Sequence, residues 1–289
     1  MTVSPQDCIW AHCSHGGRSV PASRRARARP RWDMFGLMSD TLLRLFGWRS
    51  LLIHGDPCVL DRWLWLRRQL RQGPARTLDA GCGNGAFSIY AARAGNEVLA
   101  ASFSAREQED ARRRADLIGV RGIEFRTFDL REIEDLRASL GEFDQIICLE
   151  TIEHVNDDQG LVRSLAAMLK PGGRLLLTAP FDGHRALYTE ERDPSTVEDG
   201  SHVRFGYSQQ SLREVAQGAD LRVQSESFIS GVVSQKLTNL MRRLTARLGV
   251  PVAWAILLPL RPMVALDAPL SRILRYPYLS VALCAVKQA

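Results

Sequence analysis

The run Thr77-Leu-Asp-Ala-Gly-Cys-Gly-Asn-Gly-Ala-Phe87 constrains this chain more than any other stretch. It reads as a short buried strand, an acidic residue near the strand's end, a glycine turn and the start of a helix. Glycines at 81, 83 and 85 let the backbone come close to a ligand and take φ values that other residues resist. The helix that follows aims its free N–H groups at whatever sits on the turn. Such a turn binds a nucleoside-containing group at the mouth of a parallel sheet. A dinucleotide site would space its glycines G-x-G-x-x-G, with an acid about twenty positions on. Here the spacing is G-x-G-x-G, and Asp79 precedes the first glycine.

Strand and helix alternate downstream. Glu97–Ala101 is a second apolar strand, Arg106–Ile118 an Arg-rich helix, Ile123–Phe128 a third strand delivering Asp129, and Phe143–Glu150 a fourth. Leu161, Val162, Leu165, Met168 and Leu169 mark the apolar face of a helix, and Lys170-Pro-Gly-Gly173 turns into a fifth strand over Arg174–Ala179. Tyr207–Gly218 restarts a helix, Leu221–Ser225 reads as strand six and Leu279–Val286 as strand seven. This rhythm predicts an α/β chain built on a doubly wound, parallel sheet.

The ordered set Asp79-x-Gly81-x-Gly83-x-Gly85, Phe143-Asp144, Glu153-His154-Val155 and Leu169-Lys-Pro-Gly-Gly-Arg-Leu-Leu-Leu-Thr-Ala-Pro180 resembles the class I S-adenosylmethionine (SAM) methyltransferases over 77–230. The resemblance implies a seven-stranded, mostly parallel, Rossmann-like sheet with an antiparallel last strand, and SAM as cofactor. It places Asp79, Ala80, Gly81, Cys82, Gly83 and Asn84 at the methionine portion, and Ser102 and Phe103 at ribose and adenine. Asp129 and Leu130 would meet the adenine amino group, and Leu149 the other face of the cofactor. At one position the chain departs from the pattern. The family usually ends strand two in Asp or Glu, which holds both ribose hydroxyls, and here Ser102 stands there. A hydroxyl makes one weaker contact where a carboxylate makes two. The cyclopropane fatty acid synthase group, similar in this respect, carries Thr there and draws help from the next helix; Glu107 or Gln108 is the candidate here.

A methyl sulfonium is already activated, so the main work of such an enzyme is alignment. A hydroxyl acceptor must also lose its proton to a nearby base, a role suited to histidine. His154, past strand four, and His202, in a later loop, are the candidates, with Glu153 beside them. Glu150-x-x-Glu153-His154 also resembles the metal-binding E-x-x-E-H of ubiquinone-pathway O-methyltransferases and plant small-RNA 2′-O-methyltransferases. That likeness implies a divalent metal held by Glu150, Glu153, His154 and His202, which would bind the acceptor oxygens. The expected activity is O-methylation of a small or lipid-linked metabolite. The alternatives are carbon methylation or cyclopropanation of a lipid, or a fold that has lost its cofactor.

With 289 residues and 45% hydrophobic content, one large domain with an appended cap is expected. The expected divisions are a disordered basic leader (1–33), a helical cap (34–73), the SAM-binding core (74–227), a helical insertion (228–278) and the last strand (279–289). Six Arg against Asp7 and Asp33 give the leader a charge of +4 out of a total of +6, which argues against a nucleic-acid groove on the body. The leader lacks the apolar core of a secretory signal. Cys8, His12, Cys13 and His15 fit no standard zinc spacing. Six scattered cysteines suit free thiols in a reducing cytosol. Asp56, Pro57 and Gly73-Pro74 bound one helix of the cap, with a shorter apolar helix ahead of it; Trp63 and Trp65 are candidates to line the pocket, with packing against the sheet the favoured reading for either one alone. No run of eighteen apolar residues is uninterrupted, so a spanning helix is not expected. Peripheral membrane contact through 237–270 remains open, because a basic amphipathic helix is followed there by an apolar, Pro-broken segment.

Overall fold

The computed structural model describes residues 40–54, 57–184, 194–198 and 200–288. The 1–33 leader, Asp56, and the acidic residues Glu190, Glu191, Asp193 and Asp199 lie outside the described residues. One sheet holds seven strands: β1 (Arg76–Ala80), β2 (Glu97–Ser102), β3 (Ile123–Thr127), β4 (Phe143–Leu149), β5 (Leu169–Pro180), β6 (Leu221–Ile229) and β7 (Ser280–Lys287). Their order is β3-β2-β1-β4-β5-β7-β6, and β7 runs antiparallel to both of its neighbours. The expected fold class is the observed one.

The central strands read as continuous apolar runs because both of their faces are covered. Leu78, Ile146, Ile147 and Leu176 are fully buried. One side of the sheet is filled around Phe143, Leu165 and Leu177, the other around Leu66, Ile147 and Cys284. The pairing of β4 with β5 jumps from Phe143–Leu169 to Gln145–Arg174. Lys170-Pro-Gly-Gly173 therefore bulges within β5 instead of preceding it.

The N-terminal cap comprises α1 (40–46), α2 (Arg49–His54) and α3 (Pro57–Gln69). Trp65 does not line a pocket: it lies in the core beside Leu66 and Ile147, because its side of α3 faces the sheet. Trp63 packs with Trp48 and Tyr90, with ring centroids 5.9 and 5.7 Å apart. The crossover helices are α4 (Ala86–Arg93), α5 (Ala105–Leu117), α6 (Ile133–Leu140), α7 (Asp158–Ala167) and α8 (Gln209–Gln217).

Between β6 and β7 stand α9 (Val232–Leu248), α10 (Val250–Leu257), a 3-10 stretch (Leu258–Leu266) and α11 (Asp267–Ile273). This insertion packs on α3, where Leu60 and Leu64 meet Val233, Leu237, Leu257 and Val264. A buried polar knot reinforces the contact. Asp267 caps α9 by accepting the N–H groups of Gly231 at 2.5 Å and Val233 at 2.6 Å, while Asp61 on α3 accepts from the Ser234 hydroxyl. Burial pushes the Asp61 carboxyl up to about 8, against the Ser234 hydrogen bond, and the nearby Asp267 charge adds to the shift. The stretch Val252–Ile273 is, by length and composition, long and apolar enough to cross a membrane. Arg261 and Asp267 interrupt its run of apolar letters, and both are held inside the protein.

Candidate active site

The glycine turn leaves β1 at Ala80 and enters α4. Gly81 sits at φ +87°, where a Cβ would lie 2.4 Å from the Thr151 hydroxyl oxygen. Gly83, at φ +47°, has nothing within 4 Å of a Cβ, so the open side of the turn is here. Asp79 does not reach that surface. It is 2% exposed, lies under the turn and accepts the Ser88 hydroxyl at 2.5 Å, tying β1 to α4. Burial pushes its carboxyl up to about 6 against the Ser88 hydrogen bonds. Ala80 is buried, and Cys82 is buried with its sulfur taking a hydrogen bond from Gln108 at 3.4 Å. Asn84 is exposed, and its side-chain oxygen accepts the Ala86 N–H at 3.1 Å.

At the end of β2 the missing carboxylate is supplied from α5. Ser102 donates to Glu107 at 2.8 Å and accepts the Ser104 N–H at 3.2 Å. Burial raises the Glu107 carboxyl while the Ser102 bond pulls it down. Gln108, the other candidate, points inward and donates to the carbonyls of Ala100 and Arg126 at 3.1 and 2.9 Å. Phe103 stands half-exposed beside this pair, and Leu130 and Leu149 are each 8% exposed. Asp129 is already engaged: Arg131 Nε meets its two oxygens at 3.0 and 2.9 Å, holding the carboxyl below its usual range. Arg131 also reaches Glu198 at 2.9 Å.

The four residues expected to hold a metal are divided. Glu150 ends β4 at φ +51°, a left-handed conformation uncommon outside glycine. Its carboxylate accepts from Arg62 of α3 at 3.0 Å, Thr178 at 2.9 Å and Ser280 at 3.2 Å. Glu150 is thus drawn away from the other three. Glu153, His154 and His202 come together, with one candidate ligand atom from each lying within 4.8 Å of the others. The imidazoles meet edge-on, 4.7 Å between centroids, and His154 Nε2 lies 3.9 Å from Glu153. Glu153 is 1% exposed, and its Oε2 has no hydrogen-bond partner among the described residues. Burial and the Glu150 charge raise its carboxyl well above the usual range. Burial lowers the His154 imidazole, partly offset by the carbonyls of Ser201 and Gly200. An orphaned carboxylate oxygen beside two imidazoles fits a divalent cation with three protein ligands rather than four.

Residues outside the motifs fix this arrangement. Arg204 binds Asp158 at 2.7 Å and the Val155 carbonyl at 2.8 Å, and the Tyr207 hydroxyl donates to Asp158 at 2.6 Å. The Val203 N–H donates to the Glu153 carbonyl at 2.9 Å, which sets His202 against His154. No local pattern singles out Arg62, Arg204 or Asp158, because each acts on a partner more than forty positions away.

The comparisons with known proteins agree with this geometry. A ubiquinone biosynthesis O-methyltransferase of Xanthomonas oryzae pv. oryzae (strain PXO99A) is 38% identical over 147 residues, which is 50% of this chain and 59% of that protein. The chain spans about half the length of the curated relatives it matches, 46% for a Xanthomonas axonopodis pv. citri homologue. Among solved structures, the [4+2]-cyclase SpnF superposes with a TM-score of 0.54 at 20% identity, covering 90% of this chain and 98% of its own. Coclaurine N-methyltransferase bound to N-methylheliamine and SAH gives 0.54 at 17%, covering 77% and 70%. These two share the fold and differ in chemistry. The family model described as a methyltransferase domain matches residues 33–226. With that match over most of its length, the glycine turn and the sheet order, this chain belongs to the methyltransferase domain family, as a class I, SAM-dependent member.

Proposed function

We propose that this chain transfers a methyl group from SAM to an oxygen of a small or lipid-linked metabolite. The observation that carries this reading is the Glu153–His154–His202 cluster, just beyond β4 at the carboxyl edge where the glycine turn also lies. The likeness to ubiquinone biosynthesis O-methyltransferases supports oxygen over carbon as the acceptor atom. In this reading Gly81, Cys82, Gly83 and Asn84 border the methionine end of the cofactor, with Asp79 and Ala80 holding the turn from below. Ser102 and Glu107 meet the ribose, and Phe103 and Leu149 flank adenine. The adenine amino group lies near Asp129 and Leu130. The pairing of Ser102 with Glu107 supports a cofactor site over a fold that has lost its cofactor.

SAM supplies a methyl carbon on a positively charged sulfur, already set for displacement. The acceptor hydroxyl gives its proton to the imidazole of His154 or His202, and its oxygen lone pair forms the new C–O bond. The C–S electron pair returns to sulfur, leaving a neutral thioether. Burial keeps His154 neutral and able to take that proton. With a divalent ion bound, Glu153, His154 and His202 would be its ligands instead of bases, and the ion would supply Lewis-acid stabilisation of the acceptor oxygen, lowering its pKa so that the proton leaves to water. A cytoplasmic placement belongs to the same reading, supported by Cys58, Cys82, Cys148 and Cys284, all buried and free of disulfides.

Calorimetric titration of S-adenosylhomocysteine into the protein, followed by turnover of phenols with and without prenyl tails, tests the proposal. Micromolar binding and oxygen-methylated product are expected. His202→Ala should lower turnover by about a hundredfold while leaving cofactor affinity unchanged. No binding to the folded protein would sink the reading, and a carbon-methylated or cyclopropanated product would replace it with the lipid alternative.

A further inference from the structure

Along α10, the 3-10 stretch and α11 the usual polarity of a surface helix is reversed. From Val252 to Leu270 the only charged residues are Arg261 and Asp267, and both turn inward, at 5% and 4% exposure. Ala253, Leu257, Val264 and Ser271 share that buried side. The outer side is carried by Val252, Ile256, Met263 and Leu266 and runs on to Ile273 and Leu274 beyond the strip, with exposures of 43–76%. Only 28% of its most apolar window is buried within the protein. A water-facing helix would carry polar groups there, and an apolar strip of this extent marks a contact surface.

Charge says what the strip meets. Residues 228–278 hold seven Lys and Arg against one acid, the buried Asp267, a net +6. The whole chain is +6 and the leader is +4, so the remainder of the protein carries a net charge of −4. Lys236, Arg243 and Arg247 on α9 and Arg272 and Arg275 at the far end of the strip are exposed. An apolar face bracketed by cations, on a body of opposite sign, is complementary to an anionic lipid surface. It is poorly suited to a second copy of itself, because the two cationic rims would oppose one another. Nor does the strip leave the protein to cross a bilayer. Arg261 donates to the Leu52 carbonyl at 3.4 Å, and Asp267 caps α9.

We propose that the 228–278 insertion docks this chain on an anionic membrane, with the α10–α11 strip lying in the lipid interface and the arginines of α9 and α11 at headgroup level. This assignment does not depend on the chemistry at the sheet edge. The full chain, floated with vesicles of phosphatidylcholine alone or mixed equally with phosphatidylglycerol, should rise with the mixed vesicles and stay behind with the neutral ones. Arg243→Gln with Arg247→Gln should weaken that binding by about tenfold or more. Ile256→Glu with Leu266→Glu should weaken it at least as much, with unchanged melting by circular dichroism, since both side chains are exposed. Failure of the folded wild type to float with anionic vesicles would overturn the proposal, as would flotation indifferent to both double variants. A concentration-dependent dimer in sedimentation that Ile256→Glu with Leu266→Glu abolishes would assign the face to a second copy instead.

Discussion

The sheet and the insertion solve opposite problems with the same side chains. In the sheet, isoleucine and leucine are fully enclosed, as at Ile146, Ile147 and Leu176. In the insertion, Ile256 and Ile273 face outward while Arg261, Asp267, Ser234 and Ser271 occupy the inside. Hydrophobicity of a residue type therefore does not tell which way it points; the partners on the far side decide. In the sheet those partners are helices of the same chain. In the insertion the inner partners are Leu60 and Leu64 of α3 together with the polar knot around Asp61, and a second apolar side is left outward.

Paired changes sharpen this contrast. The largest effect is expected for Ile146→Ala, which opens a cavity in a closed core and should cost about 3–4 kcal/mol in urea denaturation. Next comes pH. Asp61 titrates at about 8 in the folded protein against 3.8 ordinarily, so its contribution is complete at acid pH and disappears as pH rises through about 8. Asp79, raised to about 6, works in the same direction over a narrower range. Unfolding free energy should fall steadily between about pH 4 and pH 8, and Asp61→Asn should flatten most of that slope. A rise in stability with pH would contradict the buried neutral acid. Glu107→Gln should weaken S-adenosylhomocysteine by about tenfold in calorimetry, because an amide has one acceptor where the carboxylate has two. The smallest effect is expected for Ile256→Ala, within about 0.5 kcal/mol of wild type. A loss there equal to that of Ile146→Ala would erase the contrast.

The strands and the glycine turn were legible because their signals are local: apolar runs, glycines at fixed offsets, an acid before the turn. Strand six runs four residues further than its apolar letters, since Glu226 and Ser227 are polar, half-buried positions on a strand that continues to Ile229. The choice between Glu107 and Gln108 needed the rotation of α5, which places one at the rim and the other beneath it. The diversion of Glu150 to Arg62 was illegible, because 88 residues separate the partners and neither sits in a pattern that names the other. Trp65 packs against the sheet, the reading favoured for either cap tryptophan alone, although an aromatic on a cap helix looks the same on paper whether it meets ligand or sheet. The basic, Pro-broken character of 237–270 was readable, but the inward turn of Arg261 and Asp267 required their tertiary partners.

Asp61 and Arg62 are consecutive residues, yet the first grips the insertion through Ser234 and the second grips the end of β4 through Glu150. Two neighbouring residues of helix α3 thus join the insertion to the end of β4. The carboxylate that Arg62 holds sits in a left-handed turn, one residue before Thr151 closes over Gly81. Distance along the chain is thus a poor guide to which parts of the molecule share a support.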